Sequence, residues 1–151
     1  YLTNEFLEDT KMTIGCSHHS QYVERGDQVI NLVFWDLGGQ KRFDCLHPAY
    51  IRGANLALLL FDMNSRDTFD GIGKWIKMLR NFNDDSLPIM LVGAKADLVS
   101  PDAQNTLIHE MNHLTRENSL VASIVTSSKM DWNIKETVDY TVDYLLWLNS
   151  S

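Results

Sequence analysis

Residues Phe34-Trp35-Asp36-Leu37-Gly38-Gly39-Gln40-Lys41-Arg42-Phe43 set an acid and two adjacent glycines behind an apolar, β-branched run, Val29 to Trp35. A carboxylate at the inner end of such a run is costly unless something pairs with it. Adjacent glycines let a ligand approach the backbone, whose N–H groups can then receive an anion. An acid able to hold a cation beside amides able to hold an anion is the chemistry of a metal–phosphate site. The alternative is a glycine-rich turn in which Asp36 caps a helix.

Two further stretches have comparable chemistry. Val92-Gly93-Ala94-Lys95-Ala96-Asp97-Leu98 and Val125-Thr126-Ser127-Ser128-Lys129 each continue an apolar run into charged or hydroxyl side chains. Leu56 to Phe61 is a third such run and closes on an acid, Asp62.

The elements that must position these groups follow from patterning. Residues 15–24 and 28–35 read as strands joined by a turn at Arg25-Gly26-Asp27. An irregular or helical segment is expected over 41–52. The run 56–61 reads as a strand covered on both faces. A helix over 66–82 would bury Phe69, Ile72, Ile76 and Leu79, with Asn64 or Ser65 as its cap. Pro88 to Gly93 is a buried strand. Ser100-Pro101 starts a helix whose inner face carries Ala103, Leu107, Met111 and Leu114. A short strand over 120–126 precedes a last helix from about Asp131 to Leu148, with Ile134, Val138, Val142 and Leu145 inward. Such alternation predicts an α/β fold: a largely parallel sheet with helices on both faces and ligands at the strands' carboxyl ends.

Composition narrows the function classes. The 151 residues are 44% hydrophobic and 22% charged, ordinary for one globular domain. A net charge of −7 argues against nucleic acid as a partner and against broad binding to anionic membranes. The cysteine pair Cys16 and Cys45 implies no disulfide framework and points to a reducing compartment such as the cytoplasm. No stretch reads as a transmembrane span or signal peptide.

In order and spacing, the three charged strand ends resemble the small GTPases of the Ras superfamily. In that family D-x-x-G-Q handles magnesium and γ-phosphate, N-K-x-D reads guanine and S-A-K completes the base pocket. Trp35-Asp36-Leu37-Gly38-Gly39-Gln40 is similar to the Arf branch. Thr13-Ile14-Gly15, and Tyr50-Ile51-Arg52-Gly53-Ala54 with Trp75, are similar to Rab. The resemblance implies the three-layer small-GTPase fold, with an antiparallel hairpin strand at the sheet edge. It also implies GTP, GDP and Mg2+ as ligands, slow hydrolysis, and effectors, exchange factors and activating proteins as partners. Peripheral membrane attachment stays open.

Residue by residue, it makes Thr13 the switch threonine whose hydroxyl ligates magnesium; the alternative is a plain strand-edge threonine. Asp36 would hold magnesium through a water, Gly39 would offer its N–H to the γ-phosphate, and Gln40 would orient the attacking water. Asp97 would accept hydrogen bonds from guanine's N1–H and exocyclic amine. Lys95 would lay its stem along the purine and the Ser128 amide would meet O6, while Ser127 belongs to the same element and Lys129 packs at the rim. An ordinary Asp97–Lys129 ion pair is the alternative there.

Two departures stand out. Ala94 occupies the place of the family's Asn, and the lost amide predicts affinity weaker by one to two hydrogen bonds of about 1–1.5 kcal/mol each. No G-x-x-x-x-G-K-[ST] phosphate loop occurs in the chain. Since Tyr1 to Phe6 matches the end of the family's first helix, the resemblance implies a domain lacking its first strand and that loop.

Rival readings also have residues behind them. A GTPase-fold interaction module without hydrolysis would fit Ala94 and the absent loop. His109-Glu110-Met111-Asn112-His113 is a literal H-E-x-x-H, the zinc-protease signature. However, helical phase puts both histidines opposite Leu107, Met111 and Leu114, towards solvent. His18-His19 are adjacent in a strand, face opposite sides and cannot easily share a metal.

Overall fold

A computed structural model describes residues 16–37, 51–83 and 86–150, which fall into two compact units, one within residues 2–53 and the other spanning Ala54–Ser151. The first holds an antiparallel hairpin, β1 (Cys16–Arg25) and β2 (Gln28–Leu37), turning through Gly26 at φ +58°. Glycine is suited to that left-handed corner. The hairpin is amphipathic. Val23 is buried and Ile30, Leu32 and Phe34 are half-buried, whereas Tyr22, Val29, Val33 and Trp35 are exposed on its other face. His18 lies across from Trp35, with ring centroids 5.2 Å apart.

The second unit is a three-stranded parallel sheet in the order β3-β4-β5, with β3 at Ala57–Asp62, β4 at Ile89–Ala94 and β5 at Ala122–Val125. Around it stand α1 (Arg66–Asp70), α2 (Ile72–Asn83), α3 (Pro101–Glu117) and α4 (Ile134–Ser150). Central β4 is buried from Ile89 to Gly93, so both its faces are covered. Leu59 pairs with Leu91 and Phe61 with Gly93, on the face where Phe61 meets Phe69 of α1 edge-on at 5.0 Å. Glycine at 93 makes room for that ring: a Cβ there would lie 3.2 Å from Phe61 Cζ and 3.1 Å from the Met63 side chain.

Several expectations hold. Phe69, Ile72, Ile76 and Leu79 are all buried. Ser100 caps α3 with Pro101 in the first turn, its hydroxyl accepting the Ala103 N–H at 3.4 Å.

Others are corrected. The helix expected over 66–82 is two segments meeting at Gly71, where a tight Lys74 N–H to Gly71 O bond of 3.2 Å interrupts the regular ladder. Ser65 occupies the cap position without a side-chain bond; the Thr68 hydroxyl donates back to Ser65 O at 2.7 Å instead. Ala103 stays exposed and Leu107 and Leu114 are half-buried, so of the expected inner face Met111 alone is fully buried. The last helix starts at Ile134, not near Asp131, since Asp131 and Asn133 hold φ of +54° and +55°, outside right-handed helix. Strand β3 is buried on one face only. Leu60, on the other, is 59% exposed.

Candidate functional site

Parallel pairing of Asp62 with Ala94, and of Gly93 with Val125, brings the ends of β3, β4 and β5 to one edge of the sheet. Each chain then leaves the sheet in a loop, and these loops are tied to one another. Thr126 N–H donates to Gly93 O at 2.7 Å, and Ala96 N–H donates to Thr126 O at 3.0 Å. Between them, the Ser127 hydroxyl donates to Asp97 Oδ1 at 2.5 Å while accepting the Met130 N–H at 3.1 Å. Ser127 is fully buried, so this charge-assisted bond fixes the half-buried Asp97 carboxylate in orientation. A closed loop supports it from behind: Ser127 and Trp132 exchange both backbone bonds, at 3.1 and 2.9 Å. Asn133 then anchors that loop to the sheet through Nδ2 to Val125 O at 2.7 Å.

Lys95 sits at φ 62°, ψ 38°, a left-handed conformation uncommon for a side-chain-bearing residue. Its ammonium meets Asp62 Oδ2 at 2.7 Å. Ser128 and Lys129 are exposed in the neighbouring loop. The edge thus presents an oriented carboxylate, a held lysine and a free-standing serine–lysine loop. A planar ligand with two adjacent N–H donors could meet the carboxylate, since each ionised oxygen has acceptor capacity beyond one bond.

The other sequence-derived residues stand differently. Thr13, Gly39 and Gln40 lie outside the described residues, as do residues 41–50 of the segment expected over 41–52. Asp36 belongs to the hairpin unit, where it faces Ser17 one residue before the strand ends at Leu37. It is exposed, so the expected burial cost of a carboxylate behind an apolar run does not arise. Burial first, and then the Asp36 charge, push the neighbouring Cys16 thiol above its ordinary value. Asp97 makes no ion pair with Lys129 among the described residues; Ser127 is its partner instead. Asp62, not assigned to the site from sequence, is the residue that reasoning missed. Its only signal was an acid closing an apolar strand.

The H-E-x-x-H residues do not converge. Glu110 pairs with Arg66 at 2.6 Å, and His113 Nδ1 lies 3.1 Å from Glu117 on the exposed face of α3. Among the described residues no group of three His, Cys, Asp or Glu side chains could hold a metal ion.

A family model described as Ras family matches residues 1–146. The chain belongs to the Ras family. Curated relatives agree and place this Ras-family chain on the Rab side. It is 35% identical over 142 residues to "GTP-binding protein ypt3" of Schizosaccharomyces pombe, covering 94% of this chain and 64% of that protein. It is 32% identical over 136 residues to "Ras-related protein RABF2a" of Arabidopsis thaliana, covering 90% of this chain and 66% of the relative. The match to "Ras-related protein Rab-4B" of Rattus norvegicus is also 32% over 136 residues, covering 90% and 62%. The chain therefore spans less than two thirds of the length of these relatives. No helix among the described residues is long and apolar enough to cross a membrane.

Proposed function

We propose that this Ras-family chain carries the guanine-reading half of a nucleotide-dependent switch. The Ser127–Asp97 bond of 2.5 Å carries the reading, because it aims a carboxylate at the open edge of the sheet. Asp97 accepts guanine's N1–H and exocyclic amine, two donors that adenine does not present together. Such a pair is worth roughly 1–3 kcal/mol of discrimination. The Ser128 N–H meets O6, Lys95 lays its stem along the base, and Lys129 closes the rim. Ser127 is a positioning residue for Asp97.

The phosphate end rests on the family alone. Thr13 and Asp36 are hard oxygen donors of the kind magnesium takes. When bound, magnesium neutralises phosphate charge during hydrolysis. Gln40 orients water and Gly39 offers an N–H to the γ-phosphate. Effectors, exchange factors and activating proteins are the partners, with slow hydrolysis as the timer and attachment at a membrane periphery.

Because the phosphate-loop motif does not occur in these residues, base recognition is the part to test on this chain. Titration of the chain with GDP and ADP, followed by amide chemical shifts, should show GDP binding about tenfold tighter, about 1.4 kcal/mol. Shifts should centre on 94–98 and 127–130, and Asp97→Asn should remove the preference. Equal binding of both nucleotides would overturn the reading.

One observation favours a second reading. Ala94 supplies no amide at the guanine loop, as expected of a GTPase-fold interaction module that does not hydrolyse nucleotide. Guanine preference without measurable single-turnover hydrolysis, in a version of the protein that includes a phosphate loop, would select it.

A further inference from the structure

Loop 94–98 must be held in place by something other than the side chain at 94, which is a methyl group. Besides the Ser127–Asp97 bond and the Met63 N–H to Ala94 O bond of 2.9 Å, further contacts within the same unit hold it. Ala96 N–H reaches Thr126 O across the neighbouring loop at 3.0 Å. From α3, Gln104 Nε2 donates to Ala96 O at 2.7 Å and Val99 O at 3.1 Å. From β3, Asp62 takes the Lys95 ammonium at 2.7 Å. Of these, only the last reaches Lys95, the side chain assigned to lie along the base; Asp97 has its own holder in Ser127.

Asp62 is itself prepared for this. Its other oxygen, Oδ1, accepts the Asn64 N–H at 2.8 Å, and its backbone N–H donates to Thr68 Oγ1 at 3.0 Å. One carboxylate oxygen thus locks the turn after β3, leaving Oδ2 aimed at the next strand end, where Asp62 and Ala94 are register partners. Lys95, in its left-handed conformation, sends its long stem sideways across that strand end to reach it.

We propose that Asp62 is a positioning residue of the base site, holding the Lys95 stem in the place where a purine would lie against it. It does part of the loop-holding that Ala94 does not do. This rests on the guanine-reading function above. A lysine free to wander over its rotamers loses entropy when a base docks against it, whereas a lysine already fixed does not. Much of the pair is exposed, with side-chain exposures of 60% for Lys95 and 25% for Asp62, so its effect is modest.

The test is a double-mutant cycle on GDP affinity in the 151-residue chain, read by amide shifts. Asp62→Asn keeps an oxygen for the Asn64 N–H and removes the charge, so the turn survives; urea midpoints check that it does. Asp62→Asn should weaken GDP about threefold, in line with a partly exposed pair. In a Lys95→Met background the same change should do almost nothing, because the lysine it positions is gone. Asp97→Asn, run alongside, reports on the base-reading function itself. Loss of GDP preference in Asp97→Asn with full affinity in Asp62→Asn would overturn the role of Asp62 and leave the base site standing. An equal loss from Asp62→Asn with and without Lys95 would also overturn it, marking a structural role only. No preference for GDP over ADP in the unaltered chain would bring down both.

Discussion

Removing the Ser127 hydroxyl is the sharpest perturbation of the site. Ser127 is completely buried, donates to Asp97 Oδ1 at 2.5 Å and accepts from Met130 N–H at 3.1 Å. Ser127→Ala deletes both bonds. The bond to an ionised partner contributes about 1.5–3 kcal/mol. Met130 N–H also loses its acceptor, a smaller loss between neutral partners that acts in the same direction. The expected destabilisation is therefore about 2 kcal/mol, a sizeable share of the 5–15 kcal/mol typical of a domain. With a urea slope of about 2 kcal/mol per molar, the midpoint should fall by about 1 M at unchanged slope. Ser128→Ala, at the exposed neighbour, should change stability by less than about 0.5 kcal/mol and serves as the control. Guanine preference should decline in Ser127→Ala as the carboxylate loses its fixed orientation. A midpoint within about 0.2 M of the parent would refute the reasoning, since the Ser127–Asp97 bond would then contribute nothing.

Gly93→Ala should destabilise by about 1–3 kcal/mol, because the new Cβ presses on Phe61 and Met63 in a filled core; a thermal midpoint unchanged within about 1 °C would contradict this packing. Asp36→Asn should lower the raised Cys16 thiol towards its ordinary value by removing its second cause, burial remaining the first. Below that value the thiolate fraction rises as the value falls, so iodoacetamide should modify Cys16 faster near about pH 8 in a Cys45→Ser background. An unchanged rate would show that the Asp36 charge does not reach the sulfur. Added zinc should bind far below one equivalent, and His113→Ala should not alter it, because no third ligand joins the histidines among the described residues; a zinc stoichiometry near one, lost in that variant, would revive the H-E-x-x-H reading.

How legible the molecule was depended on the range of each interaction. Turn and cap signals act over a few residues, which is why Gly26 and Ser100-Pro101 marked their elements correctly from sequence. Helical periodicity is equally local, so the buried stripe Phe69, Ile72, Ile76, Leu79 was readable while the interruption at Gly71 was not. Glycine there keeps right-handed angles of φ −73° and ψ −15°, leaving no conformational mark in the residue type. The late start of the final helix was hidden for a related reason. Asp131 and Asn133 take positive φ because the Ser127–Trp132 bridge closes the loop, a constraint set outside the helix.

Sequence alone determined the alternation of strands and helices, the carboxyl-edge position of Asp97, Ser127 and Ser128, and the family resemblance that the comparisons confirmed. Those properties are carried by spacing and residue type along the chain. Only the tertiary structure decided which side chains touch. Ser127 and Asp97 are 30 positions apart, and Lys95 and Asp62 are 33 apart. Neither pairing follows from local propensity, because each exists only once parallel register sets neighbouring strand ends side by side. Tertiary packing also left Leu60 exposed on β3 while burying every residue of β4 from Ile89 to Gly93. The two apolar runs differ in that way because burial depends on what covers each face of a strand, and the strand's own residues do not encode that.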